Sequence, residues 1–582
     1  MSDNDPPMAA LPRLNLHPSL EAAHVDATKV VNDWLSNLTE SLTKGHLENA
    51  SSLFLEEESW WRDMISFTWD IACHNGAEAI CKYISASEAG GFEPRADQPG
   101  ALQPQLVDMG GLYFIQSGFS FKTNFGVGRG VLRLANVGPH EWRAWTVFTV
   151  LESLHEELQQ ETETDDGVQV LVVGAGHSGL QIGAHLQQLG LKYLIVDKAT
   201  QSGNAWRNRY SSIKSHTPSW LDHYPFMKYP ADWPRYLDQE HITTWMERYA
   251  NDMGLKIKFD TLVSKVNYDE STQQYSVELR NKDHTEIVNP KHVVLATGLF
   301  SDIMIRPTFP GEDSFKGEIY HASAHKYAAS IPNVQNKKVT IIGSGTSAHD
   351  IAQDFVNAGV KTVVMVQRGP IYVTALETQE SFLLQLWDTP GLSTEDADLL
   401  GCSMPTAVAR ALSAGAAPMM AAKDKALLDG LERAGQGVKR GCDGDSLVEY
   451  QLLKGGHFYI DQGACEMIID GRIQIQRCEE GVQDFYHDGI QLANGTKIES
   501  DLVVLATGYE RGAKAVEHIM GKDVMEKVGD LFGLDDGQER ISTWRPTGMP
   551  GFWFTTGSFV WSRQFSPVLA LQIAAMERGL NG

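Results

Sequence analysis

VLVVGAGHSG (170–179) is the stretch that decides the fold. An apolar run suited to a buried strand enters a GxGxxG turn, and a segment suited to a helix follows. Gly174 serves the tight turn, Gly176 lets a pyrophosphate approach the backbone, and Gly179 lets the helix lie close to the strand. A helix opening near Ser178 would point its free N–H groups and positive dipole end at the phosphates. The next strand closes on Asp197, 18 residues (197 − 179) beyond the last glycine, where an acid suits a free ribose diol. VTIIGSGTSA (339–348) repeats the pattern with Gly343, Gly345 and Ala348, and its partner strand TVVMVQR (362–368) closes on Arg368 with no acid. An arginine in that place suits a ribose phosphate. Two such turns with unlike strand ends predict two dinucleotides, FAD at the first and NADPH at the second. His325 and Lys326 are expected nearby as further phosphate contacts.

Composition narrows the class. The chain has 582 residues, enough for about three domains, and its 42% hydrophobic content supplies a core for each. A net charge of −25 disfavours nucleic acid, whose phosphates would be repelled. No run approaches the roughly 20 apolar residues of a membrane span, and MSDNDPPMAALPRLN (1–15) does not read as a secretory signal. Cys73, Cys81, Cys402, Cys442, Cys465 and Cys478 contain no CxxC pair. Reduced thiols in a cytoplasmic protein are therefore expected, with no metal site and no redox pair of the disulfide-reductase kind.

Residues 1–18 are polar and punctuated by proline, and are expected to be disordered. Val31, Trp34, Leu35, Leu38 and Leu42 recur at helical spacing within 22–44. Short helices are expected at 46–54 and 76–86. Three strand-like runs then follow, GLYFIQSGFSF, GRGVLRLAN and WRAWTVFTVLESL, giving an α+β module over 19–155. The acidic run at 156–167 reads as a linker. VVLATG occurs twice, at 293–298 and 503–508, flanking the second glycine turn. The first nucleotide domain is thus expected to be interrupted by the second: 168–332 with 480–582 for FAD, and 333–479 for NADPH with a helical insertion.

The segment GNAWRNRYSSIKSHTP (203–218) resembles a signature of the class B flavin-dependent monooxygenases, which include the plant YUCCA-type enzymes. FKGEIYH (315–321), both ATG tripeptides and GFWFTTGSFVWSRQFSPVLALQIAAM (551–576) are similar to that family in the same order, over roughly residues 165–582. The resemblance implies an NADPH-dependent FAD enzyme that inserts one atom of O2 into a small organic substrate through a C4a-(hydro)peroxyflavin. Alternatives are an NADPH oxidase releasing peroxide and a non-catalytic binding or assembly protein on a vestigial flavin fold. Baeyer–Villiger members carry tryptophan, and N-hydroxylating members tyrosine or phenylalanine, where this chain has His325. Pro218 follows Thr217 where heteroatom-oxidising members have asparagine. The subclass therefore stays open.

The first 150 residues resemble the nuclear transport factor 2-like (SnoaL-like) module, through WWRDMISFTWD and GRGVLRL. The expected fold is thus α/β, two nested Rossmann-type dinucleotide-binding domains preceded by an α+β cone-shaped domain. His74, Asp63 and Asp70 are noted in that module and given no chemistry. Cofactor contacts are expected from Gly174, Gly176, Gly179, Asp197, Lys198, Trp206, Arg207, Thr217, Val263, Ala296, Thr297, Gly298 and Phe565, and from Gly343, Gly345, Thr346, Ser347, Ala348, Arg368, Thr507 and Gly508. No side chain is assigned as catalytic. Thr217, His321, His325, Trp561 and Arg563 are candidates for the cleft, and Phe559, Trp561 and Phe565 would suit a small apolar compound. A last helix is expected from an N-cap at Ser566, with Pro567 first, to about Arg578, its N-terminus facing the flavin. The partners expected are the substrate and O2, with a homodimer admitted as an assembly.

Overall fold

The computed structural model describes residues 6–44, 50–87, 89–158, 167–282 and 284–581. The N-terminal part is a seven-stranded sheet covered by two helices, Ala27–Lys44 and Ala77–Ser85. Tyr113–Lys122, Gly126–Asn136 and Trp142–Leu154 form an antiparallel meander, and Trp60–Met64 runs parallel to the last of these. Val31, Trp34 and Leu38 from the first helix meet Phe54, Trp61, Phe119 and Val147 in one core. Residues 46–49 of the helix expected at 46–54 lie outside the described residues, and Ser51–Leu53 is a 3-10 turn.

The expected disorder of 1–18 is corrected from Pro6 onward. Leu14 is buried, its carbonyl accepts from the Tyr113 N–H (2.6 Å), and the His17 N–H donates to Asn136 (2.7 Å). Backbone pairing and one apolar anchor order a stretch whose composition is otherwise polar. Most of the expected linker, 159–166, lies outside the described residues.

Two parallel sheets follow. The first has the order Ile257–Lys258, Tyr193–Val196, Val170–Val173, His292–Leu295, Phe552–Phe554. The second has the order Glu318–His321, Leu502–Leu505, Lys338–Ile342, Thr362–Gln367, Ile473–Arg477. In each, the strand entering the glycine turn sits between its partner strand and an ATG strand. Both ATG strands are buried along their whole length, as strands with both faces covered must be.

This corrects the expected assignment of the second VVLATG. Leu502–Leu505 pairs with Glu318–His321 and Lys338–Ile342, so it belongs to the second sheet, and residues 318–321 go with it. Of the segment 480–582, the strand Phe552–Phe554 and the last helix join the first sheet. The two tripeptides are identical, so their letters could not show which sheet each would enter. After their ATG turns the chains meet, Phe300–Met304 pairing antiparallel with Tyr509–Arg511. The region 376–454 is helical, with Thr406–Lys423 its longest helix.

Charged side chains fasten the N-terminal unit to the rest. Arg62 is buried and forks onto Glu539 (2.6 and 3.0 Å), with a third bond to the Cys402 carbonyl (2.6 Å). Arg545 grips Asp70 (2.9 Å), Arg133 reaches Ser403 (2.8 Å), and Arg129 pairs with Asp396 (2.7 Å). Removing one member of a buried pair strands the other charge in a poorly solvating interior. Arg62→Met is expected to cost about 3–5 kcal/mol, seen as a lower urea midpoint for the unfolding of this unit. An unchanged midpoint would refute the fastening role.

Candidate functional site

The first glycine turn is shaped by backbone approach. Gly174 has φ +112°, and a side chain there would lie 2.6 Å from the Ala296 carbonyl oxygen. A Cβ on Gly179 would fall 1.9 Å from the Gly174 carbonyl oxygen, whereas Gly176 faces open space. The turn is closed on its protein side and open where the helix His177–Gln188 begins. That is the shape a dinucleotide phosphate needs, with backbone N–H groups exposed and no side chain in the way. Asp197 lies at the neighbouring strand end, its carboxylate accepting from the N–H groups of Ala175 (2.6 Å) and Ala199 (2.8 Å).

The second turn repeats this geometry. Gly343 has φ +124° and its missing Cβ would meet the Ala506 carbonyl oxygen at 2.4 Å, while Gly345 is open at the start of Thr346–Asn357. Arg368 is exposed at the end of Thr362–Gln367 and has no ion-pair partner among the described residues. Beside it lies His457, whose pKa is lowered by burial first and then by the positive charges of Lys454, Arg368, Arg511 and Lys439. This basic corner offers its charge to an anion. His325 and Lys326 do not join it. His325 is buried between the Tyr320 hydroxyl and Asp354 (both 2.9 Å), and Lys326 is bound to the Asn208 carbonyl.

A cavity of about 1720 Å³ opens from the first turn, larger than the roughly 300–1,000 Å³ of usual small-molecule sites. Gly174, Gly176, Asp197, Lys198, Trp206, Thr217, Val263, Ala296, Thr297, Gly298 and Phe565 all line it. Gly179 lies behind the turn, and Arg207 is engaged with Glu247 and Asn204. Of the cleft candidates, Thr217 and Trp561 face the cavity. His321 sits against Ser323 and the Gly508 carbonyl, while Arg563 is buried on Asp398 and the carbonyls of Leu221 and His223. Neither residue lines the cavity. Thr507 is occupied by the Ile305 carbonyl, and Thr346 by that of Phe458.

The last helix departs from expectation. It runs from Phe559 to Glu577, with Ser558 as N-cap accepting from the Trp561 N–H, and Pro567 stands inside it. Gly557, at φ +129°, makes the turn into the cap. Burial of this helix on nearly every face lets it keep a proline that would break an exposed one. Its first turn borders the cavity through Ser558, Val560 and Trp561, so the positive end of its dipole faces the space in front of the first glycine turn.

Three groups at or beside the cavity carry no motif in the sequence. Arg62 comes from the N-terminal unit and Arg540 from an irregular loop, and both line the cavity. Asp222 accepts from the Thr217 hydroxyl (2.6 Å), and its other oxygen is buried without a partner. Burial pushes its pKa up to about 7, against the pull of Thr217 and Arg563. In the N-terminal unit, Asp63 is saturated by Thr149, Tyr83 and the backbone of Ser66 and Phe67, His74 stacks on Tyr83, and Asp70 serves Arg545.

The sequence pattern of the pyridine nucleotide-disulphide oxidoreductase family matches residues 171–390. A probable indole-3-pyruvate monooxygenase of Arabidopsis thaliana, YUCCA8, is 27% identical over 348 residues, spanning 58% of this chain and 74% of its own. The indole-3-pyruvate monooxygenase YUCCA1 of Oryza sativa subsp. japonica is 27% identical over 364 residues, spanning 62% and 80%. The chain is thus similar to class B flavin-dependent monooxygenases over more than half of its length. Solved structures agree on the fold. An open crystal structure of cyclohexanone monooxygenase matches 72% of this chain and 88% of its own, at TM-score 0.51 and 20% identity. A polycyclic ketone monooxygenase from Thermothelomyces thermophila matches 73% and 77%, at TM-score 0.51 and 17% identity. These similarities support a flavin monooxygenase that uses FAD, NADPH and O2, and the two open glycine turns fit such cofactors. All six cysteines are free.

Two expected outcomes follow from this geometry. Gly179→Ala drives a methyl into the Gly174 carbonyl and should yield protein with far less bound flavin, measured as visible absorbance per polypeptide; full flavin content would refute the packing argument. Asp222 stays protonated in the folded protein up to about pH 7, whereas the unfolded chain releases that proton near ~3.9. Between those values the folded state holds one more proton, so stability falls as pH rises. Asp222→Asn should flatten the decline in Tm between pH 5 and pH 8. An equal decline in both proteins would count against it.

Proposed function

We propose that the first glycine turn holds FAD and the second NADPH, within two nested dinucleotide-binding domains, and that the enzyme oxygenates a small apolar or aromatic compound. The observation that carries this reading is the pairing of like turns with unlike strand ends. Asp197 is tied into the first turn, and Arg368 stands exposed in a basic corner at the second. FAD when bound supplies the activation of O2 by reducing equivalents taken from NADPH. The chain's own residues bind, orient and shield it. Ser558 and the helix behind it direct positive dipole at the cavity. Asp222 holds the Thr217 hydroxyl in one orientation, so that a single polar group of fixed direction meets the cavity.

The cavity volume supports a flavin and a small molecule together, and Leu383, Leu384, Trp387, Met404 and Trp561 give it an apolar outer wall. The names of the similar proteins denote a 2-oxo acid in one branch and neutral ketones in another. His325 is buried away from the cavity, so it does not sort this chain into either. For the N-terminal unit we propose the cone-shaped nuclear transport factor 2-like fold, supported by its antiparallel meander and two covering helices. A cytoplasmic setting is supported by six free cysteines, five of them buried.

The deciding experiment measures peroxide and oxygenated product per NADPH across ketone, 2-oxo acid, amine and sulfide panels. Product matching NADPH for one panel supports the reading, and peroxide equal to NADPH in every panel would favour an oxidase. Arg368→Ala should raise the KM for NADPH by about tenfold or more, from the lost charge-assisted contact, with little change for NADH. Equal effects on the two nucleotides would remove Arg368 from the phosphate site.

A further inference from the structure

Three arginines enter the seam where the N-terminal unit meets the cavity. Arg62 is spent on Glu539 and the Cys402 carbonyl. Arg545 is held by Asp70 (2.9 Å) and Asp535 (2.6 Å). Arg540 has no such acid. Its Nε and Nη1 are buried with no hydrogen-bond partner, although its side chain lines the cavity. Its sequence neighbour Glu539 accepts from the Arg540 backbone N–H (3.1 Å), and both of its oxygens are engaged by the Arg62 guanidinium.

Aromatic rings hold the free guanidinium in place. It lies 3.9 Å from the Trp561 ring centroid and 4.6 Å from that of Phe565. Such stacking fixes the plane of the cation and offers nothing to its N–H donors. A guanidinium kept from water with donors unmet is costly. Burial, outweighing the pull of Glu539, lowers its pKa to about 10, which leaves it charged at neutral pH. A planar, pre-oriented cation of this kind suits a carboxylate, which it can engage through two parallel bonds. The surrounding wall of Met404, Val560, Trp561 and Phe565 suits an apolar or aromatic body.

We propose that Arg540 is an anion-binding subsite of the cavity, taking the carboxylate of an apolar or aromatic substrate, and that Arg62 keeps it available by holding Glu539. That the bound carboxylate is a substrate rests on the oxygenation reading above. The subsite itself does not. The other anions in reach of such an enzyme are the cofactor phosphates, and the test separates them.

The FAD-loaded enzyme, without NADPH, is titrated with 3-phenylpropanoate, indole-3-acetate and their methyl esters while the flavin absorption band is followed. The wild type should bind at least one acid about tenfold tighter than its ester, the scale of a charge-assisted pair. Arg540→Gln should abolish that preference while leaving ester affinity, flavin content and the KM for NADPH as they were. Arg540→Lys, which keeps the charge without the planar fork, should retain part of it and guards against a folding defect. The proposal is overturned if the wild type shows no preference for either acid, or if Arg540→Gln weakens acid and ester alike. It is also overturned if that variant loses flavin or NADPH affinity, since the anion would then be a cofactor phosphate. Because binding is read without turnover, selective acid binding in an enzyme that passes all the electrons of NADPH to O2 as peroxide would sink the oxygenation reading and leave the subsite standing.

Discussion

The carbonyl oxygen of Ala296 occupies the space that a side chain on Gly174 would need, and Ala506 does the same to Gly343. This contact between an ATG strand and a glycine turn is the constraint on which both nucleotide units rest. It forces a positive φ at the first glycine and turns the following amides outward. The second glycine then faces open space and the helix begins at once. A phosphate-binding edge is thus produced by steric exclusion on one side of the strand. Its price is a fully buried ATG strand beside each turn, and the sequence carries the same tripeptide twice for that reason.

Much of this was legible because it depends on local spacing. The glycines, the strand ends at Asp197 and Arg368, and the meander of the N-terminal unit are written in periodicity and turn chemistry. What was not legible depends on partners distant in the chain. The second ATG strand reads the same as the first, and its sheet is decided by hydrogen bonds to Glu318–His321 and Lys338–Ile342. Pro567 reads as the first residue of a helix, yet the cap is Ser558, because burial of the whole helix overrides the local preference of proline. His325 stands in a position suggestive of the cleft, and Tyr320 and Asp354 draw it into the packing of the second sheet.

The cavity itself shows why no motif could announce it. Its floor is the first glycine turn, one rim is the start of the last helix, another is the helical region around Trp387 and Met404, and Arg62 reaches it from the N-terminal unit. Residues separated by hundreds of positions share one wall. Thr217 and Asp222 are an instance within a short loop: the pair is bonded because the chain folds back between Ser215 and Leu221, and an acid in an apolar stretch would otherwise read as a surface residue.

The seam beside Arg540 joins these two themes. Fastening the N-terminal unit requires buried charge, because Arg62, Arg129 and Arg545 all cross to acids on the other side. Each acid consumed there is unavailable inside. Glu539 and Arg540 are adjacent in sequence, so the natural local outcome is a neutral couple in which neither group has a use. The docked Arg62 divides that couple, saturating the acid with a two-pronged bond and leaving the base on an aromatic seat beside the cavity. The attached unit can in this way set the charge of the cavity. Its contribution is electrostatic, exerted through one carboxylate that it removes from competition.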